Sequence, residues 1–423
     1  VFAGSGDDRV FGEDGLDVIH GEDGSDQLSG GAGDDVILAG SGDDLVWGDE
    51  GHDRVDGGAG ADTLYGGQGA DIILAGDGGD AVFGEDGDDI LSDGSDQDRV
   101  SGGLGNDTVL AAADSDDDVL AGDEGTDTLD YSASRESISV SISAGTAAGA
   151  DIGRDRVLGF EVVITGSGDD RINADVGGDP TVIAASFTVN SGAGDDAITS
   201  GDGDDILIGA AGDDTLNAGA GADHVQAGSG DDVVEASLDG DADRYEGGDG
   251  EDTLDLSTAR VRTEVNIAAG RVSGAETGED RISSFEVFIG GDGDDLYIVG
   301  SDSVVITGGD GDDRFQFTGA ASGTPIFVGR ITDFATGDKI EVEQFEFFRK
   351  NSDDDEDERF TSAYLRGDSG PALRLRFEMA DDGENTVLEI DDDSGEDRYS
   401  IVLDGHQDLY FSILTETPQA HAA

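Results

Sequence analysis

Aspartate occupies the sixth position of every nine-residue unit from Ala3 to Leu110: Asp8, Asp17, Asp26, Asp35, Asp44, Asp53, Asp62, Asp71, Asp80, Asp89, Asp98 and Asp107. Later units place Asp127, Asp170, Asp196, Asp205, Asp214, Asp223, Asp232, Asp252, Asp295 and Asp313 in the same way. Stacking the loops that hold them brings carboxylates together turn after turn. Two carboxylates about 4 Å apart repel by roughly 1 kcal/mol in water and about 4 kcal/mol at an effective dielectric of 20. A hard divalent cation between them reverses the sign, and glycine-rich loops add backbone carbonyl oxygens. An all-oxygen set of tolerant geometry suits Ca²⁺, whereas Mg²⁺ wants a strict octahedron at about 2.0–2.1 Å. A surface that is acidic only to stay hydrated would scatter its Asp and Glu; here they recur at one position. Two D-x-D-x-D runs, Asp114, Asp116, Asp118 and Asp239, Asp241, Asp243, are candidates for cation loops of altered geometry. Neither is an EF-hand, since glycine is missing at the sixth loop position and glutamate at the twelfth.

Catalytic chemistry has little to stand on. The five histidines, His20, His52, His224, His406 and His421, are dispersed, and no H-E-x-x-H, G-x-S-x-G or P-loop occurs. An aspartate engaged with a cation is a poor general acid. Asp179-Pro180 is a chemically labile pair whose simplest reading is a loop. No catalytic residue and no organic cofactor is expected.

Around each aspartate the unit is constant. Twelve units from Ala3 to Leu110 run without a slip, with glycine fourth in all but one (Asp96) and an aliphatic residue eighth, from Val10 and Ile19 through Val100 and Val109. The pattern returns at Thr165, runs from Ser191 to Glu235, and recurs at Gly247, Gly290 and Gly308. This G-G-x-G-x-D-x-U-x nonapeptide resembles the RTX, or haemolysin-type calcium-binding, repeat family. The resemblance implies that the sixth-position Asp and loop carbonyls of successive coils share each Ca²⁺. It also implies export by a type I secretion system to the cell exterior.

Those positions must be held by turns and short strands. Glycine permits the sharp left-handed backbone of the turn, and x-U-x is a strand with U facing one way and its neighbours the other. Two nonapeptides make one coil, so strands eighteen residues apart stack in parallel and each U packs between two sheets. The expected fold is all-β: a parallel β-roll solenoid interrupted by β-strand inserts and closed by a C-terminal β cap.

Composition agrees. The net charge of −78 excludes nucleic-acid binding through a basic face. The 35% hydrophobic content would mean disorder without ordered repetition. Absence of cysteine excludes disulfides and thiolate metal sites, and no apolar run approaches the roughly 20 residues of a membrane span. VFAGSGDDRV shows no signal peptide and opens inside a repeat without Met, which raises the expectation of a fragment or processed product.

A longer period overlies the first, for 111–172 repeats at 236–297 with a constant offset of 125 residues. After each copy comes a non-repetitive insert, expected to cover the solenoid. The expected organisation is a first roll over 1–130, an insert over 131–164, a second roll region over 165–316 with an insert at 256–289, and a cap with secretion signal over 317–423. In that last region I-x-D-F-x-x-G-D-x-I from Ile331 resembles the segment that closes such rolls. RLRFEM, TVLEI and YSIVLDG read as strands and NSDDDEDE as a solvated loop. The ending ETPQAHAA departs from the acidic-then-hydrophobic terminus common in toxins and proteases of the family.

Outward positions add a contact-surface expectation. Phe11, Trp47, Tyr65 and Phe83 line one sheet; Val18, Val36, Leu38, Ile72, Leu74, Ile90 and Leu110 line the other. Such stripes suit an upstream domain, a surface partner, a sugar ring or the chain's own inserts. The functional reading is a calcium-binding region that folds outside the cell and supports export and display of its parent protein. The alternatives are the C-terminal part of a secreted protease, lipase or epimerase, or an adhesin or surface-layer protein.

Overall fold

The computed structural model describes residues 1–175, 186–300, 303–318, 327–342, 345–349, 362–365, 373–379, 385–391, 397–404 and 409–413. Asp179-Pro180, NSDDDEDE, His406, His421 and ETPQAHAA lie outside them. Two compact units are present: residues 1–219 with 226–228, and residues 220–225 with 229–423. The described elements are β-strands, apart from one short 3-10 turn at Ile267–Ala269.

In the first unit the eighteen-residue register is explicit. Val18–Asp23 pairs in parallel with Val36–Ser41, which pairs with Arg54–Ala59 and then Ile72–Asp77. The opposing sheet stacks Gln27–Ala32, Leu45–Glu50, Thr63–Gln68, Ala81–Asp86 and Arg99–Leu104 in the same way. Many strands are six residues long instead of the expected three, because pairing continues through the glycines, as in Glu22 with Gly40. Between the sheets the eighth-position aliphatics are completely enclosed, among them Ile19, Leu28, Ile37, Val46, Val55, Leu64, Ile73 and Val82. At roughly 1.5–3 kcal/mol per buried aliphatic side chain, this single-file core is the chief apolar stabilisation available.

The inserts correct an expectation. They do not lie over the roll; they are stitched into its sheets. Ile138–Ser141, Thr146–Gly149 and Gly153–Leu158 form an antiparallel meander. Its outer strands pair in parallel with Val119–Glu124 on one side and Arg171–Asn173 on the other. The second unit repeats the device with Thr263–Asn266, Arg271–Gly274 and Gly278–Ser283 between Arg244–Asp249 and Leu296–Val299. Every strand edge of the insert is thereby hydrogen-bonded, which an overlay could not achieve.

Further along, parallel pairing gives way to antiparallel. Lys339–Val342 meets Phe345–Arg349, which meets Leu409–Ile413. Thr386–Asp391 lies between Leu373–Met379 and Asp397–Leu403. The three expected terminal strands are present.

Of the outward stripes, the aromatic one explains itself locally. Trp47 and Tyr65 stack at 6.1 Å with planes 8° apart, and Tyr65 and Phe83 at 5.0 Å and 12°. The inner faces of these rings are used by one another along the coil axis, so the row does not present a flat aromatic platform to a sugar.

Candidate metal centre

The sixth-position aspartates form two ladders in the first unit, both built by the backbone. Asp26 N donates to Asp44 Oδ1 at 2.7 Å, Asp44 N to Asp62 Oδ1 at 2.7 Å, and Asp62 N to Asp80 Oδ1 at 2.7 Å. On the other edge Asp35 N donates to Asp53 Oδ1, Asp53 N to Asp71 Oδ1 and Asp71 N to Asp89 Oδ1. Each carboxylate therefore has one oxygen fixed by the preceding coil. The second has nothing: Oδ2 of Asp26, Asp35, Asp44, Asp53, Asp62, Asp71, Asp80, Asp89, Asp98 and Asp107 is buried without a hydrogen-bond partner. Asp127 and Asp252 repeat the arrangement.

A buried carboxylate oxygen with no donor costs at least about 1–3 kcal/mol, and more when charged. A whole column of them requires a compensating positive charge. The surroundings fit one. At Gly66 a Cβ would stand 2.5 Å from Asp71 Oδ2 and 2.7 Å from Gly84 O. At Gly57 it would stand 2.7 Å from Asp62 Oδ2 and 2.5 Å from Ala75 O. The first-position glycine thus leaves a notch where a carboxylate oxygen and the next coil's carbonyl oxygen converge, a donor set suited to Ca²⁺. Among the described residues no group of three or more Asp, Glu or His side chains is placed to hold a metal, so backbone oxygens must supply part of any coordination sphere.

Burial pushes these carboxyls up. Asp44 and Asp53 rise to about 6, and Asp71 and Asp80 to about 7, chiefly through desolvation, opposed by the backbone hydrogen bond and reinforced by neighbouring carboxylates. The sign follows: with folded values above the ordinary 3.8, metal-free folding takes up protons. Its stability is greatest in acid and is lost as pH rises through 6 to 7. Protons also compete with the cation, and an aspartate of pKa about 7 is roughly 100-fold less ionised at pH 5 than at pH 8 or above. Calcium titrations followed by circular dichroism should show a midpoint at least about tenfold higher at pH 5 than at pH 8. The metal-free chain should gain order on acidification, and a pH-independent midpoint would contradict the ladder geometry.

The remaining sequence candidates divide. Asp8 and Asp17 sit on the first coil, donate to Asp26 Oδ1 and Asp35 Oδ1, and are half-buried. Asp170 and Asp196 continue the ladder, with Asp170 N on Asp196 Oδ1 at 2.7 Å and Asp196 N on Asp214 Oδ1 at 2.8 Å. Asp205 accepts from Phe187 N. In the second unit Asp223 N reaches Asp243 Oδ1, Asp232 N reaches Asp252 Oδ1, and Asp295 N reaches Asp313 Oδ1.

The two D-x-D-x-D runs divide their aspartates between two roles, and Asp114 Oδ2, like the ladder oxygens, is buried without a hydrogen-bond partner. Asp114 Oδ1 and Asp239 Oδ1 each accept from the backbone N–H two residues on, at Asp116 and Asp241, closing a local turn. Asp116 and Asp241 are exposed. Asp118 and Asp243 instead join the ladder. Asp243 Oδ2 is moreover held by Tyr245 Oη at 2.7 Å and by Ser237 Oγ.

Sequence reasoning missed rungs outside the nonapeptides. Asp118 N donates to Asp155 Oδ1, Asp243 N to Asp280 Oδ1 and Asp313 N to Asp338 Oδ1. Glu161 and Glu286 take the equivalent place above Asp127 and Asp252. The signal was present: D-R-V, D-R-I and D-K-I each keep the D-x-U tail of the repeat. Tyr131 Oη donates to Asp155 Oδ2 at 2.6 Å, so this rung is satisfied within the protein. A second, outer row at the fifth position also went unseen; Asp34 and Asp43 accept from His52 N and Ala61 N one coil on. Two of the histidines make contacts within the fold: His20 stacks on Phe2, and His52 Nδ1 accepts from Ala70 N.

Two family models match the chain. The RTX calcium-binding nonapeptide repeat matches in overlapping segments that span 2–133 and 188–254. The Peptidase M10 serralysin C-terminal model matches 241–411. No curated protein matches the chain.

Proposed function

Because the chain is an RTX protein whose nonapeptide repeats bind calcium, we propose that it is a folding switch set by the calcium difference between the cell interior and exterior. The observation that carries this reading is the column of buried, donorless Oδ2 atoms. Bound calcium supplies the positive charge that lets those oxygens be buried while ionised. The backbone N–H groups orient each carboxylate, the first-position glycines keep the notch open, and the aliphatic file excludes water from between the sheets. Where calcium is scarce, mutual repulsion and the thin core leave the repeats extended. Where it is abundant, coil upon coil forms.

Such a chain suits export in the unfolded state, with residues 317–423 addressing it to a type I system and folding completed outside. It would then display or stabilise its parent protein extracellularly. The match to a serralysin C-terminal region favours one parent in particular, a secreted enzyme whose catalytic part lies elsewhere; the matched region is the non-catalytic one. Co-expression with a type I exporter tests the proposal. The intact chain should reach the medium and a version lacking 317–423 should be retained; equal export of both would refute the assignment.

A further inference from the structure

Only 22 of the 423 residues are Lys or Arg, yet three arginines of the second unit stand directly across from one another. Arg244 is opposite Arg281 in the parallel pair Arg244–Asp249 and Gly278–Ser283, and Arg281 is opposite Arg271 in the antiparallel pair with Arg271–Gly274. All three residues are exposed, and together they line a groove of about 660 Å³ with Tyr245, Gly270 and Glu279. Like charges directly opposite on neighbouring strands are destabilising. Two carboxylates answer three guanidiniums: Glu246 pairs with Arg244 and Glu279 with Arg271. Among the described residues Arg281, in the middle, is in no ion pair.

The fold does not require this row. In the first copy, 125 residues earlier, the same three strands carry Val119, Thr146 and Arg156 in the same register. The second copy therefore carries two more arginines than the first on a backbone that forms without them. Guanidinium groups offer a planar fork of donors matched to carboxylate, sulfate or phosphate oxygens. The long-range field of the chain repels anions, but screening confines it to about 8 Å at physiological salt, so a local basic row can still act.

We propose that the Arg244–Arg281–Arg271 row is an oxyanion-binding site, with Arg281 the central donor. The ligand is a free oxyanion or such a group on a larger molecule. The test uses the full calcium-loaded chain, with inorganic sulfate and a sulfated disaccharide as probes against chloride at matched ionic strength. Arginine Nε–H resonances and calorimetry provide the readouts. Saturable binding should weaken at least about tenfold in Arg281→Gln and Arg271→Gln and be unchanged in Arg156→Gln, with all variants keeping wild-type circular dichroism. Tighter binding of the disaccharide assigns the group to a larger ligand, and equal affinity assigns the free ion. Absence of saturable binding by either probe, or equal loss in Arg156→Gln, overturns the proposal. Loss of calcium-dependent folding would be seen separately by circular dichroism.

Discussion

Excess chelator near neutral pH is expected to abolish the β-type circular dichroism of this chain, and millimolar calcium to restore it. The magnitude follows from linkage. Each cation held at 100 times its dissociation constant contributes about 2.7 kcal/mol, while a typical domain is stable by only about 5–15 kcal/mol. About two to six saturated sites therefore equal the whole folding free energy, and the sixth-position aspartates from Asp26 to Asp107 alone offer ten buried Oδ2 atoms. Removing the ions also restores repulsion among carboxylates whose pKa values are already raised to about 6 or 7. A native β-signal that survives in chelator at pH 8 would mean that some other interaction satisfies those oxygens.

The second large effect is a glycine-to-alanine substitution in the middle of the roll. Gly69 has φ +120°, and a Cβ built there would overlap Gly51 O of the preceding coil. The backbone conformation alone costs an alanine roughly 1–3 kcal/mol. The overlap with a main-chain oxygen must in addition push two coils apart, which breaks strand pairing and the notches on either side. Gly4 is the internal control: φ +110°, but nothing lies within 4 Å of its Cβ position. In calcium, Gly69→Ala should lower the denaturation midpoint well beyond Gly4→Ala and raise the calcium needed for folding. Equal shifts would show that only backbone strain, and not coil-to-coil approach, makes fourth-position glycine necessary. Asp96, the one non-glycine at this position in the first twelve units, still adopts φ 77°, so the conformation is imposed by the coil.

The regular part of this architecture was legible because one period governs both chemistry and packing. Asp44 and Val46 are two residues apart in the same unit; the first becomes a rung and the second a core residue for the same reason. What was not legible is where the period breaks. SISVSIS at Ser137 alternates like a half-buried strand, but alternation cannot say whether such a strand lies over a sheet or within it. The edge hydrogen bonds of Val119–Glu124 and Arg171–Asn173 decide that, and they are long-range. Asp155, Asp280 and Asp338 escaped because they lie outside the contiguous nonapeptides, where the D-x-U tail is kept but the glycine pattern is incomplete. The D-x-D-x-D runs show another limit of spacing, since alternate acidic residues suit a local side-chain-to-backbone turn as well as a cation, and Asp114 and Asp239 form that turn. The arginine row needed strand register, for residues 244, 271 and 281 are unremarkable in the linear chain.

The central claim is that Oδ2 of each ladder aspartate faces a cation shared with backbone oxygens of the neighbouring coil. Crystals of the chain grown in calcium, with diffraction collected where calcium scatters anomalously, test it most directly. Anomalous peaks are predicted beside Oδ2 of Asp62, Asp71 and Asp80, next to the carbonyls that border the glycine notches. Ordered water alone at those positions, in a folded roll, would contradict the account.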